Sequence, residues 1–203
     1  MKRLVLAIIV VLVLLSLTSC IEEATLRIRN RTNAQIWFEV DNSETTWLNA
    51  FSNWSRSYSS DRNVNIEYSG DHVFSADADV DIRSGNTTTL EIYATGGAIK
   101  LRNQTNITIK RVFLSPASEP FWGDDQLSGF LYPSEVRLWT VLPDVWDIRV
   151  EDLSGNYYYL YDRTVAMDNT IVLNFEPAKT SPEKNKKEGS FVAQNQSHKV
   201  EMK

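Results

Sequence analysis

The sequence predicts an all-β protein, and two observations carry that prediction. Beyond residue 20, apolar residues alternate with polar ones in short runs, which is the pattern of half-buried strands. Clusters of Gly, Asn, Asp and Ser separate these runs, as expected for turns. Up to residue 176 we find no helical periodicity as long as about 12 residues. Short strands with regular turns indicate an antiparallel sandwich or barrel.

Four runs show the alternation most clearly. In the first, Leu26 and Ile28 share one face of a strand while two arginines share the other. The others cover residues 36–41, 77–82 and 146–151. In the last run Trp146 leads the apolar set, so we expect it to lie in the core, together with Trp139.

The chain also repeats itself. Residues 29–36 (RNRTNAQI) match residues 102–109 (RNQTNITI) at an offset of 73 residues. Nearer the ends, residues 86–92 resemble residues 169–175 at an offset of 83. A unit of this length suits a small sandwich.

We therefore predict two tandem small antiparallel β-sandwich (Ig-like) modules, over residues 24–94 and 97–176. Thr95-Gly96-Gly97 joins them. A single domain of about twelve strands is the alternative. Residues 177–203 are rich in Lys, Glu, Asn, Gln and Ser, which predicts a disordered tail.

The first twenty residues have the layout of an export signal. Lys2 and Arg3 precede an unbroken apolar run from residue 4 to residue 15, which is short for a bilayer span. The run leads to Leu17-Thr18-Ser19-Cys20, and Cys20 is the only cysteine. This stretch resembles the lipobox of bacterial lipoproteins. An ordinary signal peptide, or an uncleaved anchor with a chance cysteine, is the alternative.

The lipobox resemblance implies a signal peptide over residues 1–19 and a lipid on Cys20, which becomes the mature N-terminus. Residues 20–23 then form a short linker. Because one acyl chain binds a membrane only marginally, the two or three chains implied here provide a firm anchor. In diderm bacteria an Asp after the cysteine retains lipoproteins in the inner membrane. Ile21 stands there instead, so the resemblance favours the outer membrane.

The second module resembles a bacterial extracytoplasmic β-module found in lipoproteins and secreted proteins. The resemblance rests on an N-x-T start at Asn103, an S-P-x-S segment at Ser115, a W-G-x-D-x-L motif at Trp122 and a Y-D-I-R-x-x-D-x-x-G hairpin at residues 146–155. Trp146 replaces the usual Tyr, and Pro133-Ser134 replaces the usual Pro-Gly. The resemblance implies a fold and a compartment, and no activity.

Catalysis and cofactors find little support. With Cys20 lipidated no thiol remains, and of the two histidines His198 is in the tail while His72 follows an apparent Gly-Asp turn, where we expect an exposed residue. Zinc lacks Cys and His ligands. Asp77, Asp79 and Asp81 share one strand face as a solvated edge. Asp124 and Asp125 lie in a loop, as calcium ligands or as capping residues. We predict no catalytic residue, no metal site and no cofactor.

Charge and aromatic content set the expected partners. Residues 20–176 carry 13 basic and 23 acidic residues, which disfavours nucleic acid. Exposed rings are the candidate ligand-binding residues: Trp122, Tyr157, Tyr159 and Tyr161. We expect a membrane-anchored envelope lipoprotein with a structural or binding role, whose partners are the membrane and an envelope protein or glycan. A carbohydrate-binding or adhesin-like module is the first alternative, and a carboxylate-dependent hydrolase the second.

Overall fold

The computed structural model describes residues 22–43, 45–183 and 186–187, so Cys20 and His198 lie outside it. This part of the chain forms thirteen strands and one short 3-10 helix, which confirms the all-β prediction. The strands are β1 (Ala24–Asn30), β2 (Ile36–Val40), β3 (Thr46–Leu48), β4 (Asn53–Tyr58), β5 (Arg62–Gly70), β6 (Val73–Ile82), β7 (Thr87–Ile92), β8 (Gly97–Asn103), β9 (Ile109–Pro116), β10 (Val136–Val141), β11 (Asp144–Asp152), β12 (Tyr157–Val165) and β13 (Thr170–Phe175), and the helix is Pro177–Lys179.

Strands β1–β7 form a first sandwich. One sheet has the order β4-β1-β7 and the other the order β3-β2-β5-β6. Leu26 and Ile28 of β1 are fully buried in the core between them, whereas Arg27 and Arg29 are partly exposed, as the alternation predicts. Phe38 of β2 contributes to the same core from the facing sheet.

Strands β8–β13 form a second sandwich, with sheets in the orders β10-β8-β13 and β12-β11-β9. Trp139 and Trp146 lie in its core, 3% and 2% exposed, which confirms their predicted placement. A buried indole needs an acceptor for its N–H group. Trp139 donates to the carbonyl of Gln126 at 3.2 Å and Trp146 to that of Leu142 at 3.0 Å.

Each sandwich closes with a parallel pair of strands, which the sequence did not predict. β7 pairs parallel to β1, and β13 pairs parallel to β8, while the other strand pairs are antiparallel. A parallel pair needs a long crossover connection, and here the intervening strands of the sandwich provide it. The two closing strands fall on the segments that resemble each other in sequence, so the repeat has a structural counterpart.

The N-x-T motif of the first sandwich builds a turn. Asn30 ends β1 and is 1% exposed. Its amide nitrogen donates to the carbonyls of Ala34, Leu48 and Asn49 at 2.7, 3.2 and 3.0 Å. Its amide oxygen accepts the backbone N–H of Thr32 at 2.9 Å. One side chain therefore satisfies buried backbone groups in two loops.

The second sandwich repeats this turn. Asn103 ends β8, is fully buried and donates to the carbonyls of Ile107 and Leu131 at 2.7 and 3.1 Å. Its amide oxygen accepts the backbone N–H of Thr105 at 3.2 Å. Because the bonding of Asn30 recurs here, the motif is a structural element of both sandwiches.

The connection between the sandwiches requires glycine. A Cβ atom on Gly96 would lie 2.7 Å from the carbonyl oxygen of Val141, and one on Gly97 would collide with the carbonyl oxygen of Ala166. Such contacts with backbone atoms can be relieved only by moving a strand or loop. Gly96 thus allows a close approach to Phe74 of the first sandwich and to β10 of the second, and Gly97 allows β8 to lie close to the segment that follows β12.

Candidate functional site

The outer face of the β3-β2-β5-β6 sheet carries a shallow concavity of about 450 Å³. This volume lies within the range of small-molecule sites. Trp47 borders the site by packing on Trp37, with ring centroids 5.1 Å apart, and is itself 52% exposed. An exposed ring thus stands beside polar groups. The lining residues include Trp37, Glu39, Glu67, Ser69, Ser75 and Asp77.

Three carboxylates cross the concavity in register. Glu39 lies opposite Glu67 on neighbouring strands, and Glu67 lies opposite Asp77 on the next strand. Like charges directly opposite each other destabilise a sheet. The row therefore works against folding stability, and it gives the concavity a strongly negative floor of hydrogen-bond acceptors.

The predicted aspartate face of β6 continues this surface. Asp77, Asp79 and Asp81 are all exposed, as expected for a solvated edge. Asp79 accepts a hydrogen bond from Asn65 at 3.0 Å and Asp81 accepts one from Asn63 at 3.1 Å. Among the residues that the structure describes, no group of three or more His, Cys, Asp or Glu is arranged to hold a metal ion.

The loop carboxylates of the second sandwich have different surroundings. Asp125 accepts the backbone N–H groups of Val112 and Leu127 at 3.1 and 3.0 Å through one oxygen, which is a turn-capping role. Asp124 is exposed. Of the two roles considered for this pair, the hydrogen bonds support capping.

The predicted ligand-binding aromatics are mostly buried. Trp122 is fully buried, Tyr159 and Tyr161 are 6% and 7% exposed, and Tyr157 is 41% exposed. The Trp122 ring lies 5.7 and 6.0 Å from the rings of Tyr159 and Tyr161, and these three form a separate cluster with Phe113. The exposure on which the ligand-binding prediction depends is therefore present at Tyr157 and absent at the other three residues.

The charged face of β11 is also buried, which corrects the half-buried assignment of this strand. Asp147, Arg149 and Glu151 are 1%, 2% and 3% exposed. The guanidinium carbon of Arg149 lies 4.1 Å from the centre of the Phe113 ring. Alternation identifies the two faces of a strand, but it does not reveal that other segments cover the second face. Here Trp122 and part of the C-terminal segment cover it.

That C-terminal segment was predicted to be disordered from residue 177, which does not hold for residues 177–183 and 186–187. The backbone N–H of Ser181 donates to the carbonyl of Tyr159 at 2.9 Å, and that of Lys187 donates to the carbonyl of Pro120 at 2.8 Å. Burial, with the nearby Glu183 carboxylate, raises the pKa of Tyr159 to about 12. These residues lie along the aromatic cluster on the β12-β11-β9 sheet.

Lys186 inserts its ammonium group into this face, in a site that we call the cation pocket. Its Nζ lies 3.0 Å from Asp147 Oδ2, 3.0 Å from Ser115 Oγ and 2.9 Å from the carbonyl oxygen of Pro116. The same atom lies 5.1 Å from the centre of the Trp122 ring. The side chains of Lys186 and Asp147 are 7% and 1% exposed, so the pair is desolvated. The composition of the C-terminal segment cannot predict this buried ion pair, because a single lysine of a polar segment forms it.

His72 is buried between the sandwiches, so the predicted exposed turn position is wrong. It is 3% exposed. Its Nδ1 lies 2.9 Å from Asp168 Oδ1, and its Nε2 lies 2.7 Å from Thr170 Oγ1. Its carbonyl accepts the backbone N–H groups of Thr95 and Gly96, both at 3.0 Å. The turn is enclosed because the second sandwich packs over it.

The order carboxylate, imidazole, hydroxyl is that of a hydrolase triad. Here the groups join two sandwiches, because His72 belongs to the first and Asp168 to the second. Asp168 also accepts the backbone N–H of Asn33 at 2.9 Å, and Thr140 Oγ1 donates to the carbonyl of Gly70 at 3.1 Å. Burial raises the pKa of the neighbouring Asp71 carboxyl. These hydrogen bonds join the two sandwiches through polar contacts.

Comparison with known proteins leaves the family open. No family model matches the sequence, and no curated protein matches it. Among solved structures, the Bacillus anthracis TIE protein aligns with 76% of this chain and 33% of its own length, at 9% identity and a TM-score of 0.31. This chain thus spans about a third of that protein, and a likeness at this level carries no argument about fold or activity.

Sequence reasoning missed the concavity on the first sandwich. Trp37 and Trp47 are ten residues apart in sequence, and only strand pairing places them opposite each other. The available signal was Trp37 among the polar positions of β2, next to Glu39. A tryptophan at a polar position of an alternating strand indicates a packing partner, and in the structure that partner is Trp47.

Proposed function

We propose that the protein is a lipid-anchored binding protein of the bacterial cell envelope, with no catalytic role. The concave outer face of the β3-β2-β5-β6 sheet carries the binding part of this proposal. Its polar side chains converge on one site, as in ligand sites, and the exposed ring of Trp47 lies beside it, packed on Trp37. Strands position these side chains, so the site is held more rigidly than a site on loops.

The anchor part rests on the lipobox-like Leu17-Thr18-Ser19-Cys20 and on the place where the fold begins. β1 starts at Ala24, four residues after Cys20. A chain of that length reaches at most about 14 Å. A lipid on Cys20 would therefore hold the first sandwich, and its binding face, close to the membrane surface. Within the described residues no helix is long and apolar enough to cross a bilayer.

The absence of a catalytic role is supported by the position of the imidazole. His72 is enclosed in the junction, where its two ring nitrogens contact Asp168 and Thr170. A substrate would have to separate the sandwiches to reach it. The carboxylates of the concavity instead stand side by side on an open face.

A carbohydrate ligand is the second, more specific candidate, and the concavity favours it. Sugar rings stack their apolar faces on tryptophan and donate hydroxyl hydrogen bonds to carboxylates. Trp47, which packs on the lining residue Trp37, offers an exposed ring beside the concavity, and Glu39, Glu67 and Asp77 offer acceptors within it. The first sandwich thus takes the role that the sequence assigned to Trp122 and the tyrosines of β12.

Trp47→Ala tests this site. The purified chain would be screened on an oligosaccharide array, and hits would be measured by isothermal titration calorimetry. We expect the substitution to weaken binding about fivefold or more, because a stacked ring contributes about 1 kcal/mol or more. Tyr132→Ala is the matched control, since Tyr132 is also 52% exposed but belongs to the second sandwich.

The control should bind as the unchanged protein does. Failure of the unchanged protein to bind any arrayed oligosaccharide would reject the carbohydrate ligand. Equal affinity of the Trp47→Ala and unchanged proteins would reject the concavity as the binding site.

A further inference from the structure

The C-terminal segment lies on the second sandwich in the way a bound peptide lies on a receptor. Ser181 and Lys187 form backbone bridges to Tyr159 and Phe121, and the side chain of Lys186 enters the cation pocket. Backbone bonds with an anchoring side chain are a common mode of peptide recognition. The core of this sandwich is built from residues up to Phe175, so the segment is an addition to a closed fold.

The cation pocket matches a primary ammonium group. A lysine ammonium has three N–H donors, and the pocket presents three oxygen acceptors, on Asp147, Ser115 and the carbonyl of Pro116. The Trp122 ring adds a cation–π contact from one side. A guanidinium group is larger and planar and would not place its donors on these three atoms.

The pocket is also preorganised. Asp147 lies on the central strand β11, is 1% exposed and accepts the backbone N–H of Asp162 at 2.9 Å through its other oxygen. Ser115 lies on the neighbouring strand β9, is fully buried, and donates to the carbonyl of Phe121 at 2.6 Å. A buried carboxylate without a cation is costly, so the pocket favours occupancy by a positive charge.

We propose that the cation pocket, with the backbone of Tyr159 and Phe121 beside it, is a recognition site for an extended, lysine-bearing peptide segment of another protein chain. The C-terminal segment is its intramolecular occupant. The occupant shows the chemistry of the ligand, since its Lys186 fills the pocket. A tethered occupant acts at a high effective concentration, on the order of millimolar for a short tether. An outside peptide therefore binds weakly until the tethered lysine is displaced. This inference is independent of the concavity on the first sandwich.

The test measures peptide binding to the purified full chain by fluorescence anisotropy. The probe is a labelled synthetic peptide with the sequence of residues 179–189, KTSPEKNKKEG. Two further peptides carry norleucine or arginine in place of the lysine that corresponds to Lys186. The proteins are the unchanged chain, Lys186→Met, which removes the ammonium group from the pocket, and Lys179→Met as a matched control. Lys179 belongs to the same segment but is exposed and pairs with Glu176.

We expect Lys186→Met to bind the lysine peptide at least tenfold more tightly than the unchanged chain and the Lys179→Met control. We also expect the norleucine and arginine peptides to bind Lys186→Met at least tenfold more weakly than the lysine peptide. Equal affinity of Lys186→Met and the unchanged chain for the lysine peptide would overturn the proposal. Equal binding of the three peptides would overturn it as well, and the proposal fails in the same way if the lysine peptide does not bind.

Circular dichroism confirms that each variant is folded. If Lys186→Met is not folded, the three peptides are compared on the unchanged chain at higher concentration. The peptide substitutions leave the protein intact, so a preference for the lysine peptide supports the proposal there, and equal binding contradicts it.

Discussion

Trp122→Ala should lower the free energy of unfolding by about 3–5 kcal/mol, because it removes a large ring from a fully buried site. The ring packs against Tyr159 and Tyr161, and the cations of Arg149 and Lys186 lie 5.2 and 5.1 Å from its centre. Its loss leaves a cavity on the outer face of β11 and removes a contact of the cation pocket. Urea unfolding followed by circular dichroism measures the change.

Trp47→Ala is the matched control, because it makes the same substitution at an exposed position. Trp47 is 52% exposed and packs mainly on Trp37. We expect a loss of about 1 kcal/mol there. If Trp122→Ala were no more destabilising than Trp47→Ala, the buried aromatic cluster would be refuted. Such a result would instead support the prediction from sequence that Trp122 is an exposed ligand contact.

Asn103→Ala should lower the free energy of unfolding by about 2–4 kcal/mol, because it removes three buried or part-buried hydrogen bonds and leaves the backbone N–H of Thr105 without this acceptor. The carbonyls of Ile107 and Leu131 each lose one of two donors and keep Thr105 Oγ1 and the N–H of Ile109, respectively, while the N–H of Thr105 loses its acceptor. Asn30→Ala should have an effect of similar size in the first sandwich, since Asn30 forms the same turn. Urea unfolding is again the measurement.

Asn106→Ala is the matched control, because Asn106 follows in the same turn and is exposed. We expect a change within about 0.5 kcal/mol, as for other surface substitutions. A loss at Asn106 as large as that at Asn103 would contradict the structural role of the motif. A large loss at Asn103 with none at Asn30 would contradict the equivalence of the two turns.

Much of the fold could be predicted, because strand alternation and turn residues are local signals. Leu26 and Ile28 show their buried face directly in the sequence, and the matched segments around Asn30 and Asn103 show the repeat. The parallel closing pairs were not predictable in the same way. Which strand pairs with β1 or β8 depends on contacts between residues that are far apart in sequence.

The sites were less predictable, because they depend on what covers a surface. Asp147 and Arg149 have the alternation of an exposed face, but the aromatic cluster and Lys186 cover them. His72 follows a turn sequence, but the second sandwich encloses it. In both places a polar residue is buried with a specific partner that lies far away in the chain. A pattern along one segment contains no information about such a partner.

Two features of the molecule fit a protein held at a surface. The fold begins four residues after Cys20, and the polar contacts around His72 join the second sandwich to the first. A lipid at Cys20 would thus hold both sandwiches close to a membrane. The lipid on Cys20 is the central claim of the proposed function, because the envelope location follows from it.

Mass spectrometry of the protein purified from native membranes tests that claim most directly, with a Cys20→Ser variant fractionated beside it. We predict a mature chain that begins at Cys20 and carries the added mass of acyl chains. We also predict that the variant is released from the membrane or retains its signal peptide. An unmodified mature chain in the soluble fraction would contradict the anchor, and it would leave Cys20 a free thiol on a secreted protein.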